Sequence, residues 1–70
     1  MNNIKLDGQL RQNIQIGKHV AIVQKQDQRT GNLTEGVVKR LLTKSSSHPH
    51  GIKVQLESGL IGRVKQVLDL

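Results

Sequence analysis

The chain contains no aromatic residue and no cysteine, and this absence constrains its fold more than any other feature of the sequence. Its 70 residues can build a core only from aliphatic side chains, which are nine Leu, seven Val, six Ile, one Ala and one Met. Ordering each residue costs about 1.5 kcal/mol of conformational entropy, so a chain of this length must bury nearly all of these side chains. Disulfide bridges and thiolate-metal sites are excluded as further sources of stability.

β-Branched residues dominate the aliphatic set, since 13 of its 24 members are Val or Ile. Such side chains pack better on a pleated sheet than on a helix, so the composition favours β-structure. Seven Gly against one Pro indicate frequent turns or bulges. A single domain is expected, because the chain is about half as long as a usual domain.

Four segments carry the patterns of β-strands, namely residues 18–25, 35–42, 52–57 and 60–65. The first contains the apolar run 20–23 and is expected to be buried on much of both faces. In the second, apolar residues occur in adjacent pairs, which requires a bulge or strong coil near Lys39 and Arg40. The third alternates without error, and the turn Ser58-Gly59 joins it to the fourth as a hairpin.

Four to five short strands joined by turns and polar loops predict an all-β fold, a small, strongly bent antiparallel barrel of the SH3-like (KOW-like) kind. An OB-fold is the alternative, but it usually needs more residues and often a helix between its third and fourth strands. The barrel is expected to span residues 13–70, with residues 1–12 as a flexible N-terminal tail. Residues 66–70 are expected to end the barrel as a short strand or as one helical turn.

No apolar run approaches the roughly 20 residues that span a bilayer, and the N-terminus lacks the apolar core of a signal peptide. No membrane partner is therefore expected. The absence of cysteine predicts a cytoplasmic location, and a monomer is expected. The sequence also has no paired-carboxylate, Ser/His/Asp or phosphate-loop signature, and a barrel of this size has little volume for a water-excluding pocket. A non-enzymatic protein without a cofactor is predicted.

The chain is strongly basic, with 11 Lys and Arg against 5 Asp and Glu and a formal net charge of +6. In the predicted topology, loop 26–34 lies at one pole of the barrel, and loop 43–51 with Lys65 lies at the other. No acidic residue occurs between Glu35 and Glu57, so the basic surface is expected around loop 43–51. A one-sided basic surface is typical of proteins that bind phosphate backbones.

Nucleic acid is therefore the leading candidate partner, and structured RNA is favoured over DNA. Because the chain has no aromatic ring on which single-stranded bases stack, contact with the backbone or the shape is expected instead of sequence-specific reading of a single strand. The predicted contact residues are Lys39, Arg40, Lys44, His48, His50, Lys53, Arg63 and Lys65. An acidic protein surface is the alternative partner. In that case the barrel docks a peptide or a partner strand, and exposed Leu33, Leu60 or Ile61 matter more than charge.

His48 and His50 flank the only proline and admit three interpretations. They can belong to a shaped turn in which an imidazole caps backbone groups and Gly51 has a positive φ. They can contact the ligand. A metal site is the third and least favoured interpretation, because a useful site needs three or four ligands, and no metal is predicted.

Several strings of the sequence resemble the YwbE family. They are DQRTG (27–31), LTEGVV (33–38), LT (42–43), HPHGIKV (48–54) and GRV (62–64). The resemblance runs from about Arg11 to Val67, and the string HPHGIKV is its most specific part. The family is a set of small uncharacterised bacterial and archaeal proteins, so the resemblance implies an SH3-like or KOW-like barrel and no particular activity.

Overall fold

Five β-strands form the framework of the computed structural model, which describes residues 6–68. They are β1 (Leu6–Asp7), β2 (His19–Gln24), β3 (Thr34–Leu41), β4 (Lys53–Leu56) and β5 (Ile61–Val67). Two single 3-10 turns, Arg11–Asn13 and Lys25–Asp27, lie between strands. Residues 6–68 contain no α-helix, and neither helical turn is long or apolar enough to cross a membrane.

The strands close into a small antiparallel barrel because β5 pairs with both β2 and β4. β3 pairs with the same two strands from the other side, so the ring runs β2-β3-β4-β5 and returns to β2. This architecture confirms the predicted all-β, SH3-like barrel. The four strands of the ring coincide with the four predicted segments to within two residues at each end.

A bulge in β3 reconciles its paired apolar residues with a single buried face. Val38 pairs with Leu56 and Arg40 pairs with Gln55, so Lys39 is an extra residue on the β3 side. The extra residue allows Val38 to be fully buried while Leu41, three positions later, still packs against the core. The predicted bulge at Lys39 and Arg40 is therefore confirmed.

The core consists of aliphatic side chains that all four strands of the ring and their flanking residues supply. Its members are Ile14, Val20, Ile22, Val38, Ile52, Val54, Leu56, Val64 and Val67. Ala21 and Val23 alternate with the core residues of β2, and only 2% and 6% of their surfaces are exposed. Both faces of β2 are therefore covered, as the apolar run predicted.

Residues 6–11, which lie within the predicted N-terminal tail 1–12, contact the barrel through their backbone. β1 pairs with the end of β5, and the carbonyl groups of Gly8 and Gln9 accept hydrogen bonds from the N–H groups of Ile52 and His48, both at 2.9 Å. These contacts use the backbone, so they leave no periodic apolar pattern in the sequence. Residues 1–5 lie outside the described residues.

The C-terminal end of the chain continues β5. Gln66 and Val67 were predicted to begin a separate closing strand or a helical turn, but they are the last two residues of the seven-residue strand β5. Val67 pairs with Val20 on one side and with Leu6 on the other. The closing interaction is thus made by a longer fourth strand of the ring, and residues 69–70 lie outside the described part of the chain.

Candidate functional site

Two cations stand directly opposite each other on the outer surface of the barrel. Lys53 of β4 pairs with Arg63 of β5, and both side chains point outward because their neighbours Val54 and Val64 are buried in the core. Like charges at directly opposite positions destabilise an antiparallel sheet. Among the described side chains the one ion pair is between His19 and Glu35, so no carboxylate within 4.0 Å compensates Lys53 or Arg63.

The guanidinium of Arg63 is held in a defined position. Its Nη1 donates to the carbonyl oxygen of Gly51 at 3.3 Å and to Oγ1 of Thr43 at 3.5 Å. Thr43 is itself fixed, because the same Oγ1 accepts the N–H of Lys53 at 2.8 Å. A guanidinium carries five N–H donors, so Nε and Nη2 of the half-buried Arg63 stay available to an anion.

A second cation is tied to the same loop. Nζ of Lys65 donates to the carbonyl oxygen of His50 at 3.0 Å, one residue before the carbonyl that holds Arg63. The carbonyl groups of His50 and Gly51, which are adjacent in the loop, thus hold Lys65 and Arg63, whose side chains point outward from β5. The ammonium group of Lys65 keeps two further donors for a ligand.

The ring of His48 shapes the loop that carries these carbonyls. Its Nδ1 accepts the backbone N–H of His50 at 3.1 Å, its carbonyl oxygen accepts the N–H of Gly51 at 3.0 Å, and Gly51 has a φ of 100°. The turn interpretation is therefore confirmed for His48 and Gly51. Within residues 6–68, no group of three or more His, Asp or Glu residues gathers as metal ligands.

Acidification is expected to destabilise this turn. Partial desolvation of the His48 ring, and then the positive charges of Arg63 and His50, hold the pKa of His48 below its ordinary value of 6.5. The unfolded chain therefore binds a proton at this residue more readily than the folded protein does. The contribution to stability is complete above pH 6.5 and is lost as the pH falls through the lowered pKa of the folded state.

Urea unfolding between about pH 7.5 and pH 5 measures this effect. The variant His48→Asn keeps an acceptor for the N–H of His50 and cannot titrate, so its free energy of unfolding is expected to fall less steeply with acidification than that of the natural protein. Equal pH dependence of the two proteins would contradict a role for His48.

Arg63 lies between two adjoining depressions of the surface, which we call the Lys65 depression and the Lys53 depression, and together the basic groove. The Lys65 depression has a volume of about 540 Å³ and is lined by Val23, Gln28, Gly31, His50, Arg63 and Lys65. The Lys53 depression has a volume of about 440 Å³ and is lined by Val23, Lys25, Gln26, Gln28, Lys53, Ile61, Gly62 and Arg63. None of these described lining residues is acidic, so the basic groove has a positive potential.

The basic groove brings together four of the eight predicted contact residues, which are His50, Lys53, Arg63 and Lys65. His48 lies next to it, since its ring centroid is 5.7 Å from that of His50. Lys39, Arg40 and Lys44 are exposed and line neither depression, and their predicted contact with nucleic acid stays a prediction. Arg40 pairs with Gln55 on the side of β4 that faces β3, whereas Arg63 pairs with Lys53 on the side that faces β5.

The groove also contains residues of loop 26–34 that the sequence analysis assigned to the opposite pole. Gln28 and Gly31 line the same depression as His50 and Lys65, so the expected separation of the two loops is wrong. The loop is folded back on itself, because the carbonyl oxygen of Asp27 accepts the N–H of Gly31 at 2.7 Å. The buried outer face of Val23 was the signal for this, since a covered face requires a covering segment.

The chain matches the profile of a family described as "Uncharacterized conserved protein (DUF2196)" over residues 7–67. It is also similar to the "Uncharacterized protein YwbE" of Bacillus subtilis (strain 168), with 57% identity over 64 residues that cover 91% of this chain and 98% of the relative. No solved structure matches it significantly. Neither description names an activity.

Proposed function

The chain belongs to the YwbE family of uncharacterized conserved proteins, and from this premise we propose that it is a small non-enzymatic module that binds structured RNA through the phosphate backbone. It acts as a cytoplasmic monomer. The observation that carries the proposal is the uncompensated pair of Lys53 and Arg63 at the centre of the basic groove.

The repulsion between Lys53 and Arg63 destabilises the free protein. A bound phosphate attracts both cations and so replaces this repulsion by two favourable contacts. Charges of the same sign on opposite residues repel each other, whereas a phosphate between them forms charge-assisted hydrogen bonds with both. The Arg63 guanidinium presents a planar fork to two phosphate oxygens, and the Lys53 ammonium acts as a compact charge beside it. Each contact also releases a condensed counterion from the nucleic acid.

Two features of the groove favour RNA over DNA. Gln26 and Gln28 line it, and their carboxamides both donate and accept hydrogen bonds, which suits the 2′-hydroxyl group that RNA alone carries. The barrel also offers short loops and strand faces in residues 6–68, with no α-helix that enters a major groove. Recognition by backbone and shape, with a modest affinity, follows from such a surface.

Fluorescence anisotropy with a labelled RNA hairpin, in about 50 to 200 mM salt, tests the proposal. Lys25, Lys53, Arg63 and Lys65 line the groove, so with a loss of about 0.7 to 0.9 per phosphate contact the slope of log K against log salt is expected to be about −3. Absence of binding in low salt, or an affinity that does not change with salt, would contradict phosphate recognition.

A protein partner is the second candidate, and one observation favours it. Leu33, Leu60 and Ile61 are exposed over 48%, 39% and 42% of their surfaces, and Ile61 lines the Lys53 depression. Exposed aliphatic side chains beside cations suit a peptide with apolar and acidic residues. Such binding depends more on buried apolar area than on charge, so its affinity falls less steeply with salt than that of RNA, and the slope of the salt series separates the two candidates.

A further inference from the structure

We infer that the Lys65 depression holds one unpaired nucleotide of the bound RNA, with the phosphate on Arg63 and Lys65 and the base beside His50 and Gln28. This inference rests on the proposed function and adds to it which part of an RNA the barrel selects. A nucleotide that has left the stack, in a bulge or an internal loop, is the ligand class.

The size of the depression is the first reason. Its volume of about 540 Å³ falls in the range of about 300 to 1,000 Å³ that is usual for sites of small organic ligands. A regular duplex keeps its bases stacked inside and presents its phosphates on a ridge. Contact with that ridge requires surface cations and leaves a depression of this volume empty.

The chemistry of the lining is the second reason. Val23 lies at the bottom of the depression, and with 6% of its surface exposed it offers a ligand only a small apolar contact. The Arg63 guanidinium and the exposed His50 ring provide two planar groups, which stack on bases in RNA-binding proteins as aromatic rings do. The carboxamide of Gln28 can donate to and accept from the edge of a base.

The position of the two cations is the third reason. Carbonyl oxygens of His50 and Gly51 hold Lys65 Nζ and Arg63 Nη1, so the cationic side of the depression is ordered before a ligand binds. A preorganised site loses less side-chain entropy on binding. Since Arg63 also lines the Lys53 depression, the neighbouring phosphate of the same strand is received there by Lys53 and Lys25.

Three RNA duplexes of the same sequence test the inference on the full-length protein. One is fully paired, one carries a single bulged adenosine, and one carries an abasic ribose at the bulge. The last two have the same charge and differ only in the base. We expect the bulged adenosine to bind about tenfold more tightly than the abasic bulge, because a stacked base contributes a free energy of this order.

Two variants locate the base. Gln28→Ala is expected to weaken binding of the bulged adenosine about fivefold more than it weakens binding of the abasic bulge, because only the bulged adenosine loses a hydrogen bond to its base. Gln15→Ala removes an exposed glutamine outside the groove and serves as the matched control, with no effect on either RNA.

The possible outcomes distinguish failure of the unpaired-nucleotide site from failure of the proposed function. Equal affinities for the three RNAs, with a steep dependence on salt, would overturn the unpaired-nucleotide site and leave the proposed function intact. A preference for the bulged adenosine that Gln28→Ala does not alter would also overturn the site, since the base would then bind elsewhere. Failure of all three RNAs to bind in low salt would overturn both the site and the proposed function.

Discussion

Gly51→Ala is expected to lower the free energy of unfolding by about 3 kcal/mol or more, whereas Gly59→Ala is expected to lower it by about 1 to 2 kcal/mol. The two glycines have nearly the same backbone conformation, with φ values of 100° and 96°. A side chain at a positive φ is strained at both positions. At Gly51 alone, an added Cβ would also overlap the carbonyl oxygen of Val64, while the space around Gly59 is open.

Urea unfolding of the two variants measures the difference, which isolates the contact with Val64 because the backbone strain is common to both. A loss of 3 kcal/mol is a large part of the stability of a 70-residue domain, which is on the order of 5 kcal/mol. Losses of equal size in the two variants would show that the carbonyl of Val64 moves aside without cost. The variant matters for the groove too, because the carbonyl oxygen of Gly51 holds Arg63.

The ring strands could be predicted from the sequence because each carries a side-chain pattern that burial requires. The apolar run in β2 matches a strand covered on both faces, and the alternation around β4 matches a strand with one buried face. The broken alternation of β3 was resolved by the bulge at Lys39. These patterns show which side chains are buried on folding. They predict strands because the burial of apolar side chains is what drives the strands together.

Contacts made by the backbone could not be predicted in the same way. β1 and Gly8 join the barrel through strand pairing and a close approach of Gly8 to the carbonyl group of Val64. Neither interaction depends on an apolar side chain, so Leu6–Asp7 carries no strand signal. The fold-back of loop 26–34 is different, because the apolar run of β2 implied a covering segment without showing which segment it was, and Gln28 was therefore missed.

The charged residues of the site were partly predictable, because the sequence shows which residues are basic but not which of them share a surface. His50 and Lys53 lie on either side of the buried Gly51-Ile52 pair, and β5 brings Arg63 and Lys65 beside them. Proximity in sequence suggested that Lys44 belonged with this group. Which basic residues share the groove depends on the strand register. The register is set by pairing between segments far apart in the sequence, so the local sequence does not show it.

The strongest test of the groove is a comparison of two double variants with the same net charge. Lys53→Gln with Lys65→Gln removes two cations that line the groove, and Lys39→Gln with Arg40→Gln removes two exposed cations that do not. Each pair lowers the formal net charge of +6 by two. Any effect of the overall field of the protein on RNA is therefore nearly the same in both.

The groove variant is expected to bind an RNA hairpin about 100-fold more weakly in about 50 mM salt, because each lost charge-assisted contact with phosphate costs about 1.5 kcal/mol. Its salt dependence is expected to become less steep by about 1.5 in the slope of log K against log salt. The control variant is expected to lose less than about threefold and to keep its slope.

Unfolding is not expected to account for the loss, because Lys53→Gln relieves the repulsion with Arg63, which offsets the exposed hydrogen bond from Lys65 to the His50 carbonyl that Lys65→Gln removes. Urea unfolding of both double variants checks this point. Equal losses of affinity in the two variants would mean that RNA responds to net charge alone and that the groove is no specific site. No loss in either would direct the search to the exposed aliphatic residues and to a protein partner.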